Sequence, residues 1–469
     1  MSWFKKEELL DRSTLLFSNK ALISVIVPLV LQQVFAVLVG TIDTMMVAYT
    51  GEAAVSGVSL VNTLDTLLVI FFTAMVTGGS VVISQALGKK ESQETHESAK
   101  QLLYISTAIA IVLAAVVVLL RRPLLYLLFG SVEVDVMHHA MGYFFFVALS
   151  FPALAIIESA GACFRSAGNT VISLAVSLVA NLLNVCGNAI FIMVFDMGGA
   201  GAGLSTLIAR VVAAIISLVL VHQKKRVVHV EQLLRYKPNP NVIRRILHIG
   251  VPNGLENTMF QFGRLLTQAL IATMGTSVIA ANSVALSISN FQYMTGTACS
   301  AAMITVVGRC IGAEEKRQAT YYARKILAIN YGLIWTVILG ILLFLRPLIG
   351  LYDLSPESAR LAQDLILFHC IVAGLIWPIG FMLPSSFRAA GDVRFTMVVS
   401  VASMWLFRVA TAYPLALDSV SVFGLFTIPG FGMGIMGVWT AMFIDWVFRC
   451  SLFFIRHASG RWLRAKQSV

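Results

Sequence analysis

The stretch ALISVIVPLVLQQVFAVLVGTIDTMMV, residues 21–47, decides the fold. A helix needs about 20 apolar residues to cross a hydrocarbon core, and this stretch is longer, with Asp43 as its only ionisable residue. Further apolar runs stand at about 58–86, 101–120, 137–163, 170–195, 201–221, 246–272, 280–308, 326–345, 361–386, 395–416 and 433–455. Their length excludes strands, and their unbroken apolarity excludes surface helices. Composition agrees. Of 469 residues, 58% are hydrophobic and 12% charged, against roughly 45–50% and about 25% in soluble domains. Neither a water-soluble fold nor a disordered chain suits so apolar a sequence. The expected class is an all-α integral membrane protein with twelve transmembrane helices.

The formal net charge is +11. In a soluble protein this would suggest nucleic acid; here it belongs to loops. With the N-terminus inside, 26 of the 34 Lys and Arg fall on the cytoplasmic side. Arg121, Arg122, Arg346 and Arg360 fall on the other, and Arg210, Arg264, Arg408 and Arg449 lie within runs. Basic residues collect on the cytoplasmic face, so both termini are expected there, in a plasma or inner membrane. The N-terminal residues show no cleavable signal pattern. The six cysteines have no paired spacing and read as buried thiols.

Shifted by 224 residues, the chain falls on itself. Val27-Pro28 meets Val251-Pro252, Gly51 meets Gly275, Gly88 meets Gly312, and Arg122-Pro123-Leu124 meets Arg346-Pro347-Leu348. At a shift of 223, Phe164-Arg165 meets Phe387-Arg388, and Gly168 meets Gly391. Apolar matches arise by chance in such chains; Gly, Pro and Arg at one constant offset do not. Each half holds six spans, so both halves keep one orientation and the pseudo-twofold runs along the membrane normal. The expected organisation is a cytoplasmic segment 1–20, an N-lobe 21–221, a linker 222–245, a C-lobe 246–455 and a tail 456–469. Two like-oriented bundles are the usual frame for alternating access.

Ionisable residues inside a bilayer cost about 2.5–3.5 kcal/mol on insertion scales and are usually functional. Asp43 reads as a carboxylate facing a cavity, able to exchange a proton or bind a small cation. Asn181, Asn184 and Asn188 are spaced at three and four, so they share one helical face. One such amide would read as interhelical glue; three read as a polar wall. Thr206 adds a hydroxyl. The repeat partner of Asp43 is Thr267, and those of Asn184 and Asn188 are Phe407 and Thr411. The acid-and-amide cluster therefore belongs to the N-terminal half alone. Glu256 is a candidate for a central substrate cleft, with Asn181 and Arg264. Asp445 and Arg449, four apart, read as a local ion pair or as snorkelling side chains. Asp65, Glu158 and His369 receive no role.

The pattern resembles the multidrug and toxic compound extrusion (MATE) family. The resemblance rests on Pro28, TIDTMMVAYTGEAAVSGVSL (41–60), ALGKK (86–90), FRSAGNT (164–170), NLLNVCGNAIFI (181–192) and GAGLST. MGTSVIAANSVAL, CIGAEEKRQA and FRAAGD echo them in the second half. It implies two six-helix lobes and export driven by inward Na⁺ or H⁺. In one branch the N-lobe cation site joins an Asp in span one, an Asn and an Asp four apart in span five, and a Thr in span six. Asp43, Asn184, Asn188 and Thr206 match it, as a Na⁺ or H⁺ site, except that Asn188 stands where that branch has Asp. A second branch uses acids in spans seven and ten; Glu256 lies about a turn from the first, and Trp377 stands near the second.

The expectation is a secondary antiporter exporting organic, cationic or amphipathic small molecules, with a proton or Na⁺ as the coupling ion and no cofactor. Pro28 is the expected hinge, since it removes a helix hydrogen bond. The alternatives are a flippase for a lipid-linked precursor and, further off, an intramembrane enzyme; HExxH, GxSxG and P-loop motifs are missing from the sequence. Membrane lipid is an expected partner, nucleic acid is not, and a monomer is expected.

Overall fold

The computed structural model describes residues 15–464 apart from 131, 232–234, 236 and 423–425. Helices occupy every apolar run. In the first half these are α1 (Asn19–Ala48), α2 (Glu52–Gly88), α3 (Ser92–Phe129), α4 (Val134–Leu149), α5 (Phe151–Ser166), α6 (Thr170–Asn188) and α7 (Gly198–Val221). In the second they are α8 (Pro240–Ala272), α9 (Thr276–Gly312), α10 (Lys316–Leu343), α11 (Leu345–Gly350), α12 (Pro356–Trp377), α13 (Pro384–Ala389), α14 (Val393–Ser403), α15 (Ala410–Ala416) and α16 (Gly434–Ala458). Three helices pass straight into π-helical stretches: α6 at Ala189–Val194, α12 at Pro378–Met382 and α14 at Met404–Val409.

Among the described residues, ten helical segments are long and apolar enough to cross a membrane, and α4 with α5, bent by 46°, forms an eleventh. Pro152 in the first turn of α5 explains the bend, because it cannot donate to the carbonyl four residues earlier. The twelfth expected span is α8, 33 residues long. It falls below the apolarity of the others because Asn253, Glu256, Asn257, Gln261, Arg264 and Gln268 lie along it. Large apolar side chains such as Leu119, Leu127, Leu339 and Val398 stay exposed, as expected where lipid, not water, is the solvent. A short antiparallel hairpin, β1 (Ser419–Val422) and β2 (Phe426–Pro429), joins α15 to α16 with Ser419 opposite Pro429. The sequence reading did not expect it.

The repeat is visible in the backbone. Gly51 and Gly275 have φ of 101° and 102°, and Gly168 and Gly391 have 79° and 86°. Side chains rarely adopt this region, so each pair keeps one turn at matching positions of the two halves. The chain forms two compact units. One holds Phe17–Gly254 and Gly308–Glu314; the other holds Leu255–Val307 and the described residues from Glu315 onward.

In the first unit, α4 packs against α2 and α7, around a core containing Phe72, Phe144, Phe151 and Leu125. In the second, aromatic rings enclose His369: Tyr293 makes a 2.7 Å hydrogen bond to its Nε2, with Trp439 and Trp446 edge-on. Trp377 stacks between Tyr293 and Phe381. The cysteines are all free. Four are buried as expected, but Cys186 is exposed and Cys450 half-buried.

Pro28 is buried inside α1. It has no N–H for the carbonyl of Ser24, four residues earlier. Thr170, the first residue of α6 and the last of the FRSAGNT motif, fills that gap: its Oγ1 lies 3.0 Å from both Ser24 O and Val25 O. Buried carbonyls without a donor are costly, so the motif and the proline form one joint between α1 and α6. Thr170→Val should lower stability by about 1–2 kcal/mol, read as a lower melting temperature in detergent, and Thr170→Ser should restore it. Equal melting of the valine variant and the wild type would rule out this joint.

Candidate functional site

A cavity of about 420 Å³ lies within the first unit, lined by α1, α2, α4, α5, α6 and α7. Asp43, one to two turns before the end of α1, is half-buried in its wall. Asn181, Asn184 and Asn188 line it from α6, as their spacing requires, and Thr206 lines it from α7. The π-helical stretch begins directly after Asn188. Such stretches are frequent at functional sites.

The amides enclose the carboxylate. Asn188 Nδ2 donates to Asp43 Oδ1 at 2.8 Å. One terminal atom of the Asn184 amide lies 2.9 and 2.8 Å from the two carboxylate oxygens, and the other lies 3.2 Å from Thr206 Oγ1. With nitrogen toward Asp43, Asn184 donates to an ionised carboxylate and accepts from Thr206. With oxygen toward Asp43, it suits a carboxylic acid that donates, while its nitrogen donates to Thr206, whose hydroxyl in turn reaches Ala202 O at 2.9 Å. The same heavy-atom cage thus fits both protonation states by rotation of one amide. Asn188 Oδ1 is buried and has no partner among the described residues.

A second polar cluster shares the cavity. Arg210 Nη2 lies 3.2 Å from Asp65 Oδ2, and Arg210 Nη1 donates to Ser150 Oγ at 2.8 Å. Tyr143 donates to Asn62 Oδ1 at 2.7 Å. Glu158 also lines the cavity and lies 3.8 Å from Arg165. The sequence reading assigned neither Asp65 nor Glu158 a role and left Arg210 unpaired. For Asp65 and Arg210 the available signal was a lone acid and a lone base in separate spans, which inside a bilayer usually pair with each other; for Glu158 and Arg165 it was their place seven residues apart on one helix. Once these pairs are drawn, Asp43 is the one acid lining the cavity that has no basic partner among the described residues.

The three residues expected at a substrate cleft are not held as a set by either unit. Asn181 lines the cavity of the first. In the second, Glu256 is buried and its Oε1 lies 2.8 Å from Arg388 Nη2, while Arg264 is exposed and its side chain donates to Gln261 at 3.5 Å. Asp445 and Arg449 form the expected pair at 3.4 Å, but both are buried, so neither snorkels. Ser403 Oγ donates to the Asp445 carbonyl at 3.0 Å.

Two helical repeats in a membrane, one enclosing a polar cavity with an unbalanced acid, define a multi-pass membrane transporter. The MatE family model matches residues 28–190 and again 252–414, two copies at the offset of 224 read from the sequence, and the chain belongs to this family. It is 27% identical over 462 residues to a Bacillus subtilis protein described as uncharacterized transporter YisQ, covering 95% of each chain. It is 24% identical over 456 residues to a Thermotoga maritima protein described as probable multidrug resistance protein NorM, covering 95% of this chain and 93% of the other. A solved MATE structure in a bent conformation shares the fold with a TM-score of 0.85 at 17% identity, covering 96% of this chain and 97% of that one.

Removing one member of a mostly buried ion pair leaves an uncompensated charge and costs about 3 kcal/mol. Asp65→Asn and Arg210→Gln should each depress the melting temperature, and the double variant should recover most of the loss. A double variant as unstable as the sum of the singles would show that the two side chains act separately.

Proposed function

We propose that the chain is a secondary antiporter in which a proton entering at Asp43 drives export of organic, cationic or amphipathic small molecules by alternating access. The observation that carries this reading is the cage around Asp43, which accommodates the carboxylate with and without a proton while its neighbours stay in place. A Na⁺ ion at Asp43, Asn184, Asn188 and Thr206 would need the amide oxygens, not the nitrogens, turned inward. Asn188, where the related branch carries a second acid, also removes one of the charges that would hold the ion.

With Asp43 ionised, Asn184 and Asn188 both donate to it and tie α1 to α6. Protonation withdraws one acceptor, turns the Asn184 amide and passes the change to Thr206 on α7. Pro28 gives α1 a point at which to bend in response, and Thr170 sets the reference geometry of that bend. Each proton moving inward down a 100 mV potential supplies about 2.3 kcal/mol, and a pH gradient adds to it. Both termini lie in the cytoplasm on this reading, in accord with the distribution of Lys and Arg. The relatives described as multidrug resistance proteins support a range of small organic substrates.

In proteoliposomes, with pH and sodium gradients imposed separately, a fluorescent organic cation should be exported on the pH gradient. Asp43→Asn should reduce that export to background while the protein keeps its melting temperature. Undiminished export by Asp43→Asn would refute the coupling site, and export driven by sodium alone would replace the proton with Na⁺.

A further inference from the structure

A second cavity in the first unit, of about 960 Å³, lies at the end of the helices where the sequence carries few basic residues. It is formed by the end of α3, the first turns of α4 and the start of α7. Two of the four arginines on that side, Arg121 and Arg122, line it together with His138 and His139. Asp196 is the one acid among its described lining residues.

The two arginines are largely unused. Arg121 Nη1 donates to Val118 O at 3.1 Å, and its guanidinium lies 4.9 Å from the centre of the Phe145 ring. That uses one of five N–H donors. Arg122 has no hydrogen bond or ion pair among the described residues. His139 Nδ1 accepts from the Gly199 N–H at 3.3 Å, which places the proton of a neutral ring on Nε2. Gly198 permits this packing: its φ is 53°, and a Cβ there would lie 2.6 Å from the imidazole. The repeat does not account for the cluster. Arg122 recurs as Arg346, but the counterparts of Arg121, His138 and His139 are Leu345, Ala362 and Gln363.

We propose that this cavity binds the phosphate of an anionic phospholipid headgroup from the adjoining leaflet, which is the outer one in the orientation given above. Guanidinium groups match phosphate oxygens in paired hydrogen bonds, and two arginines without an ion pair among the described residues outweigh Asp196 by one charge, which an anionic lipid offsets and a zwitterionic headgroup, whose phosphate is already balanced by its own cation, does not. Free phosphate would fill little of the space. Val134, Met141 and Phe145 supply apolar wall for the glycerol and acyl stems of a lipid. The site also adjoins the coupling cavity: Gly142 and Ala200 line one, and Tyr143 and Ala202 the other. A bound headgroup therefore braces α4 and α7 beside Asp43. The lipid site does not depend on which ion is coupled.

The test uses delipidated protein in detergent, with binding followed by native mass spectrometry and melting temperature. Phosphatidylglycerol, phosphatidylcholine and millimolar inorganic phosphate are added in separate arms. Phosphatidylglycerol should be retained and raise the melting temperature, and phosphatidylcholine should do neither. The double variant Arg121→Gln/Arg122→Gln should lose at least about tenfold in phosphatidylglycerol affinity, while Arg346→Gln/Arg360→Gln keeps it. If the double variant does not fold, Arg122→Gln alone, which removes no internal bond, carries the test. Equal retention of both lipids, or equal loss in the Arg346/Arg360 control, overturns the site. The same shift from inorganic phosphate overturns the lipid and leaves a free anion.

Discussion

A carboxylate enclosed by two amides and a hydroxyl, with no basic partner, is the interaction on which the rest of the first unit depends. Asp43 can be held there only if α1 stays against α6, and the sequence secures that contact at both ends. Near the start of α1, Thr170 supplies the donor that Pro28 lacks. Near its end, Asn184 and Asn188 reach the carboxylate from one face of α6. The other acids of the cavity are neutralised by arginines. The remaining unbalanced charge therefore sits at one position, and a proton arriving there changes the net charge of the unit without competition from a neighbouring acid.

The second unit has the same backbone plan and none of this chemistry. At the position matching Asp43, Thr267 turns its hydroxyl to the carbonyl of Arg264, 2.9 Å away on its own helix. At the position matching Asn188, Thr411 does the same to Phe407, at 2.6 Å. The acids Glu256 and Asp445 are tied to Arg388 and Arg449. The centre of this unit is a close-packed group of rings around His369. One copy of the duplicated bundle keeps a half-buried polar cage at its cavity, and the other fills its centre with packed rings.

Much of the fold was legible because bilayer solvation makes length and apolarity decisive. Every run became helix, and the 224-residue offset reappears both in glycine conformations and in the two family matches. The polar face of α6 was legible from spacing alone. What escaped the sequence depends on contacts between distant segments. Asp65 and Arg210 are separated by 145 residues, and only their packing shows that they neutralise each other. Thr170 read as part of a motif, but its function as the donor for a proline-vacated carbonyl required α1 and α6 to be placed. The bend between α4 and α5 and the hairpin before α16 were missed because each turns on a few residues within or beside a continuous apolar run. Glu256 read as a substrate-cleft residue, and its pairing with Arg388, 132 residues away in sequence, shows only in the folded chain.

On the function proposed above, one exchangeable proton resides on Asp43 and leaves as a cationic substrate binds. The most direct measurement is proton release from purified protein in weakly buffered detergent, followed with a pH indicator on addition of an organic cation near neutral pH. About one proton per chain should be released by the wild type and none by Asp43→Asn, with substrate binding checked independently. Equal release from both proteins would place the exchanging proton elsewhere and contradict the account.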